Sequence, residues 1–212
     1  MSAIICPTVT PLTALEYSEQ MTRVAPLSRR IQIDLMDKDF AGSESSVALD
    51  DVWWPVSTEA DIHLMYKDPF EHLETLLHLR PSLVIIHVET MVHHMHFAAE
   101  LHKEGIKAGL ALLPETPVSN VEQILHSFDH MLIFSGNLGF FGGEADMSLT
   151  AKAKEAKEHH PELEVGWDGG INPGNARQLA EAGVDVLNVG GFIQNSENPL
   201  ASYQELAGSI GG

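Results

Sequence analysis

Acid–base and metal-ligating side chains recur at strand-like spacing in three short stretches of the chain. They are Gln32-Ile33-Asp34-Leu35-Met36-Asp37, Asp61-Ile62-His63-Leu64-Met65 and Gly166-Trp167-Asp168-Gly169-Gly170. Residues two apart in a strand share a face, so Gln32 and Asp34 point one way while Ile31, Ile33 and Leu35 point the other. By the same rule His63 shares its face with Asp61 and Met65, and Asp168 stands at a strand end before two glycines. Brought to one opening, two carboxylates and an imidazole suit proton transfer or the holding of a divalent cation. Each alone is as well explained as a polar group bonding loop backbone. Their convergence is what points to chemistry.

Two glycine pairs follow the last apolar runs, Gly169-Gly170 and Gly190-Gly191. Glycine lets backbone N–H groups approach phosphate oxygens unobstructed, although it also serves ordinary tight turns. The segment Gly136-Asn137-Leu138-Gly139-Phe140-Phe141-Gly142-Gly143 has two aromatics among glycines. It reads as a lid that closes over a ligand and excludes water.

The elements that must position these groups are short and repetitive. Apolar runs at 3–6, 30–35, 61–65, 83–88, 108–113, 131–135, 163–168 and 184–189 alternate with helical patterns such as 12–24, 69–79, 92–103, 148–159 and 176–182. The Asp68-Pro69 and Asn172-Pro173 pairs each read as an N-cap before a proline at the first helical position, and Gly105 and Gly183 read as helix stops. Residues 41–55 read as a long loop with a short helix. Repeated strand–helix units predict an α/β fold, a (β/α)8 TIM barrel, as a single domain over 1–212. An open doubly wound sheet would want a glycine-rich turn after the first strand, and Cys6-Pro7-Thr8-Val9-Thr10 has none. In such a barrel the active site lies at the C-terminal strand ends, with phosphate held after strands seven and eight.

The 212 residues carry 12 Lys+Arg against 30 Asp+Glu, a net charge of −18. That balance excludes a nucleic-acid or anionic-membrane partner held by a broad basic surface. One cysteine, Cys6, excludes an internal disulfide and a cysteine zinc cluster. With no basic leader and no apolar run near the ~20 residues that span a bilayer, the expectation is a cytoplasmic protein. His93-His94-Met95-His96 is read as the solvated start of a helix rather than a second metal site. Trp53-Trp54 is read as packing of the irregular segment rather than as a subunit contact.

In order along the chain, these segments resemble the ribulose-phosphate 3-epimerase family. The resemblance rests on Pro7-Thr8, Asp34-Leu35-Met36-Asp37, Asp61-Ile62-His63-Leu64-Met65, His87-Val88-Glu89 with His93, and Lys107-Ala108-Gly109-Leu110-Ala111. It continues through Pro114-Glu115-Thr116-Pro117, the loop at 139–143, Asp168-Gly169-Gly170-Ile171-Asn172 and Gly190-Gly191.

The resemblance implies a proton shuttle at carbon 3 of a ketose phosphate, D-ribulose 5-phosphate to D-xylulose 5-phosphate or a six-carbon relative. It implies Asp34 and Asp168 as the catalytic pair, and one divalent metal ion (Zn, Fe, Mn or Co) on Asp34, His63 and Asp168. Substrate and phosphate contacts fall on Thr8, His63, Gly139, Gly142, Gly143, Gly169, Gly170, Gly190 and Gly191. Met36, Met65 and Phe134 form an apolar wall, and the family often forms homo-oligomers.

Three departures bear on this. Gln32 replaces a metal-ligating histidine, and an amide oxygen is a harder, weaker ligand that lowers metal affinity or removes the metal. Leu138 replaces a proline, one phenylalanine is extra, and Phe134 replaces a methionine. Gly191 replaces a serine, while Thr8 in place of serine keeps the hydroxyl. Related aldolases and decarboxylases would want Asp-x-Lys-x-x-Asp on strand two, and Leu35-Met36-Asp37 supplies no such lysine. The alternative is a non-catalytic or weakly active sugar-phosphate-binding paralogue that has lost a metal ligand.

Overall fold

The computed structural model describes residues 3–139 and 143–211. The apolar runs form parallel strands that pair in sequence order and close, the last on the first, into an eight-stranded barrel. The strands are β1 (Ile4–Val9), β2 (Arg30–Met36), β3 (Glu59–Met65), β4 (Leu83–His87), β5 (Lys107–Leu112), β6 (His130–Phe134), β7 (Glu164–Asp168) and β8 (Val186–Val189). Around them lie α1 (Ala14–Val24), α2 (Lys38–Ala41), α3 (Leu73–Leu79), α4 (His94–Lys103), α5 (Thr150–His159), α6 (Ala176–Glu181), α7 (Gly191–Gln194) and α8 (Pro199–Ile210).

Strand alternation sorts the side chains into two cores. Outward residues such as Ile31, Ile33, Leu35, Ile62 and Leu64 are fully buried under the helices. In α1 that cover comes from Tyr17, Met21 and Val24, spaced at i, i+4 and i+7. A capping box starts this helix: Glu16 N donates to Thr13 Oγ1, and Glu16 Oε2 accepts from the Thr13 N–H.

The barrel interior is layered. At its N-terminal floor Arg30 donates to Asp61 at 2.6 Å and to both Glu164 oxygens at 2.8 and 2.7 Å, while His130 Nδ1 lies 2.8 Å from Glu164. Above sits an apolar layer of Leu83, Ile85, Ala111 and Leu132. At the mouth Met36, Ala41, Met65 and Phe134 cluster.

Some details differ from the sequence expectation. Asn172 caps no helix: its side chain accepts from Gly174 N in a local turn, and α6 starts only at Ala176. Asp68 accepts from Phe70 N as expected, but the element it opens begins as a 3₁₀ turn before α3. The Asx-Pro signal also operates at Asn198-Pro199, where Asn198 accepts from Ala201 N and opens α8. Trp53 meets Tyr17 edge-on at 5.9 Å and Trp54 packs on the core, so this pair serves the irregular segment.

Candidate active site

A cavity of about 310 Å³ opens at the C-terminal mouth of the barrel. Thr8, Asp34, Met36, Met65, Phe134 and Asp168 line it, together with Gly139, Gly143, Gly169, Gly170, Gly190 and Gly191. Gln32 and His63 are fully buried behind Asp34. Gly142, with Phe140 and Phe141, lies outside the described residues. The other described residues expected from the sequence line this opening, while His63, expected to contact substrate as well as metal, is fully buried and does not reach the cavity.

Neighbouring strands set this convergence through their register. Gln32 aligns with Thr8 on β1 and Asp61 on β3, Asp34 aligns with His63, and Phe134 aligns with Asp168. The Gln32 amide nitrogen donates to Asp34 Oδ1 at 2.9 Å and to Asp168 Oδ2 at 2.5 Å, tying the two carboxylates together. Thr10 Oγ1 donates to the other Asp34 oxygen at 2.8 Å. Burial and the charge of Asp34 push the Asp168 carboxyl well above its usual range, against the pull of the Gln32 donor. Asp37 takes no part: it caps α2 through Phe40 N and accepts from Lys67 N.

Behind Asp34 runs a chain of contacts that crosses β3 and β4. His63 Nδ1 is 3.0 Å from Asp34 Oδ1, and His63 Nε2 is 2.9 Å from His87 Nε2. His87 Nδ1 lies 3.3 Å from Glu89 Oε2, and Glu89 Oε1 accepts from Leu113 N and Thr116 Oγ1. Burial pushes His87 down to about 4, so its imidazole is neutral near pH 7. Burial would raise Glu89, but contacts with His87, Thr116 and Leu113 outweigh it and hold the carboxyl below its ordinary value.

Asp34, His63 and Asp168 each offer a ligand atom, all within 4.8 Å of one another, and form the candidate metal cluster found among the described residues. Two further observations bear on the fit. A neutral imidazole carries one N–H, so the two rings fill the Asp34–His63 and His63–His87 contacts, while His87 Nδ1 and Glu89 Oε2, 3.3 Å apart, are left without a hydrogen-bond partner among the described residues. A cation between Asp34 and His63 would leave one N–H for each remaining contact. In addition, the Gln32 carbonyl Oε1 is buried without a partner among the described residues, and turning the amide over would aim that oxygen at the carboxylates. Carboxylate, imidazole and amide donors suit Zn, Fe, Mn or Co. The residues present fit a divalent metal.

The glycine pair after β7 has a steric reason of its own. Gly169 and Gly170 sit at φ of 114° and 69°, and a Cβ on Gly170 would stand 2.1 Å from Ala145 N. Gln194 Nε2 donates to Thr8 O at 3.0 Å and fixes α7 beside β1. Residue reasoning missed Thr10, His87 and Asn188 as parts of the site. A polar residue at an inward strand position was the available signal for His87 and Asn188, whereas Thr10 lies just past the end of β1.

Fold and site together define a (β/α)8 barrel protein with an amide-linked carboxylate pair at its mouth. Residues 4–194 match the ribulose-phosphate 3 epimerase family, and the chain belongs to that family. It is 29% identical over 187 residues to ribulose-phosphate 3-epimerase of Bacillus subtilis, covering 84% of this chain and 86% of that one. Against the Helicobacter pylori (strain J99) protein of the same name identity is 30% over 183 residues, with 83% and 84% covered. Among solved structures, a 3-hexulose-6-phosphate synthase superposes with a TM-score of 0.69 at 14% identity, covering 99% of this chain and 100% of that one. KGPDC from Streptococcus mutans superposes at 0.75 and 9% identity, covering 100% and 98%. These two likenesses concern the fold. Among the described residues no helix is long and apolar enough to cross a membrane.

Proposed function

We propose that this chain is a sugar-phosphate epimerase that inverts carbon 3 of D-ribulose 5-phosphate to give D-xylulose 5-phosphate, or acts likewise on a related ketose phosphate. The observation that carries the reading is the pair Asp34 and Asp168, joined through one amide and facing one cavity, in a chain of this family.

Epimerisation beside a carbonyl needs a base on one face of the reacting carbon and an acid on the other. Asp34, which accepts from Thr10 and Gln32, takes the role of base. Asp168, whose carboxyl is raised, keeps a proton to deliver to the opposite face. The roles exchange in the reverse direction. A divalent cation on Asp34, His63 and Asp168, with Gln32 Oε1 as a further donor, would supply positive charge for the oxygen beside the reacting carbon. Met36, Met65 and Phe134 exclude water from above the carboxylates. Backbone at Gly169, Gly170, Gly190 and Gly191 holds the phosphate, Thr8 contacts the substrate beside it, and Gly139 and Gly143 belong to the covering loop.

The test is exchange of the carbon-3 proton of ribulose 5-phosphate in heavy water, with metal content measured on the same protein. Wild type should exchange, and Asp34→Asn or Asp168→Asn should lower the rate by at least about 10³-fold. The competing reading, a binding paralogue, draws on the amide at Gln32. It wins if neither wild type nor Gln32→His exchanges a proton while both bind the sugar phosphate.

A further inference from the structure

β8 is an apolar strand except for Asn188, whose side chain is 2% exposed and lines the cavity. Among the described residues neither its Nδ2 nor its Oδ1 has a hydrogen-bond partner, and the same holds for the buried Thr8 Oγ1 on β1. A buried amide open at both ends carries a desolvation penalty that folding alone does not offset. Asparagine is also a poor strand former. Local rules broken in this way are expected where a ligand completes the structure.

Register fixes what passes over it. Asn188 aligns with Asp168 on β7 and with Cys6 on β1. Gly190 lies two residues further on, just past the end of β8 and about 7 Å away, and a Cβ there would sit 3.8 Å from the Thr8 side chain. On the proposed reading, the reacting carbon lies between Asp34 and Asp168 and the phosphate against Gly190 and Gly191. The carbon joining them must cross Asn188 and Thr8. We propose that Asn188, assisted by Thr8, determines specificity by pairing with a hydroxyl on that connecting carbon. An amide offers both a donor and an acceptor, and a hydroxyl uses both. This inference rests on the proposed function.

Calorimetry on the intact protein separates the two. The ligands are a pentitol 5-phosphate, which has no carbonyl and cannot turn over, the same compound lacking the hydroxyl beside its phosphate-bearing carbon, and inorganic phosphate. Wild type should bind the parent roughly ten- to a hundredfold more tightly than the deoxy compound. Asn188→Leu should bind both within twofold, keep its affinity for inorganic phosphate, and melt no lower than wild type because an unpaired buried amide is gone. If Asn188→Leu does not fold, Asn188→Ser takes its place and should narrow the ratio. Equal binding of both pentitols by wild type, or an unchanged ratio in a folded variant, overturns the role of Asn188 and leaves the epimerase reading to the proton-exchange test. Binding of none of the ligands overturns both.

Discussion

The Gln32 amide reaches both carboxylates with one nitrogen and leaves its carbonyl oxygen buried and open. A histidine at that position would offer the metal a nitrogen in place of an amide oxygen, so Gln32→His should hold zinc at least about tenfold more tightly, read by competition with a chelator. Glu89 does not line the mouth cavity, yet it ends the chain that orients His63 through His87. Replacing it by glutamine should weaken metal retention by roughly 10–100-fold, the usual effect of losing an outer partner of a ligating histidine. Thermal unfolding of the metal-free Glu89→Gln protein should change far less than its metal affinity. A loss of both together would make Glu89 a packing residue.

Elements differ in how openly the sequence announces them. β2 and β3 are readable because Gln32, Asp34, Asp61 and His63 interrupt otherwise apolar runs on one face. α7 is not readable, since a four-residue helix beginning at a glycine has no periodicity to detect. α8 carries its signal at Asn198-Pro199, and the same dipeptide at Asn172-Pro173 opens a turn instead, because Asn172 bonds Gly174 and Asn175 before any helix starts. Asp34 and His63 are legible because they break the apolar pattern inside β2 and β3, and Asp168 and the glycine pairs because they lie at or just past a strand end. The His63–His87 contact and the open Asn188 amide are not, because both depend on how adjacent strands align. At the turn after β7, Gly170→Ala should destabilise the protein by about 1–3 kcal/mol through strained backbone, since its Cβ has nowhere to go beside Ala145. Thr13→Ala removes the cap of α1 and should cost about 1 kcal/mol in denaturant unfolding.

A net charge of −18 surrounds a site proposed to take a dianion. Distant charges are screened by salt more strongly than contacts at the site, so moderate salt should raise kcat/KM for ribulose 5-phosphate where a steered enzyme would slow. Glu164 on the barrel floor contributes to the acid limit of stability, while Asp61 beside it, raised by burial, acts the other way. Burial acts to raise Glu164, but Arg30 and His130 outweigh it and hold its carboxyl far below the ordinary range. A depressed carboxylate contributes stability fully above its unfolded value near 4.3 and loses it as pH falls toward the folded one. Denaturant midpoints should therefore drop below about pH 5 in wild type, and Glu164→Gln should flatten that drop.

The same Arg30, Asp61 and Glu164 cluster also closes the far end of the barrel. A tube with one end stoppered has a single doorway. On the proposed function, reactant and product epimers must then enter and leave by the same route, each waiting for the other to vacate. On that same reading, either epimer will act as a competitive inhibitor of the other's conversion, and net flow will run toward whichever epimer is below its equilibrium share outside.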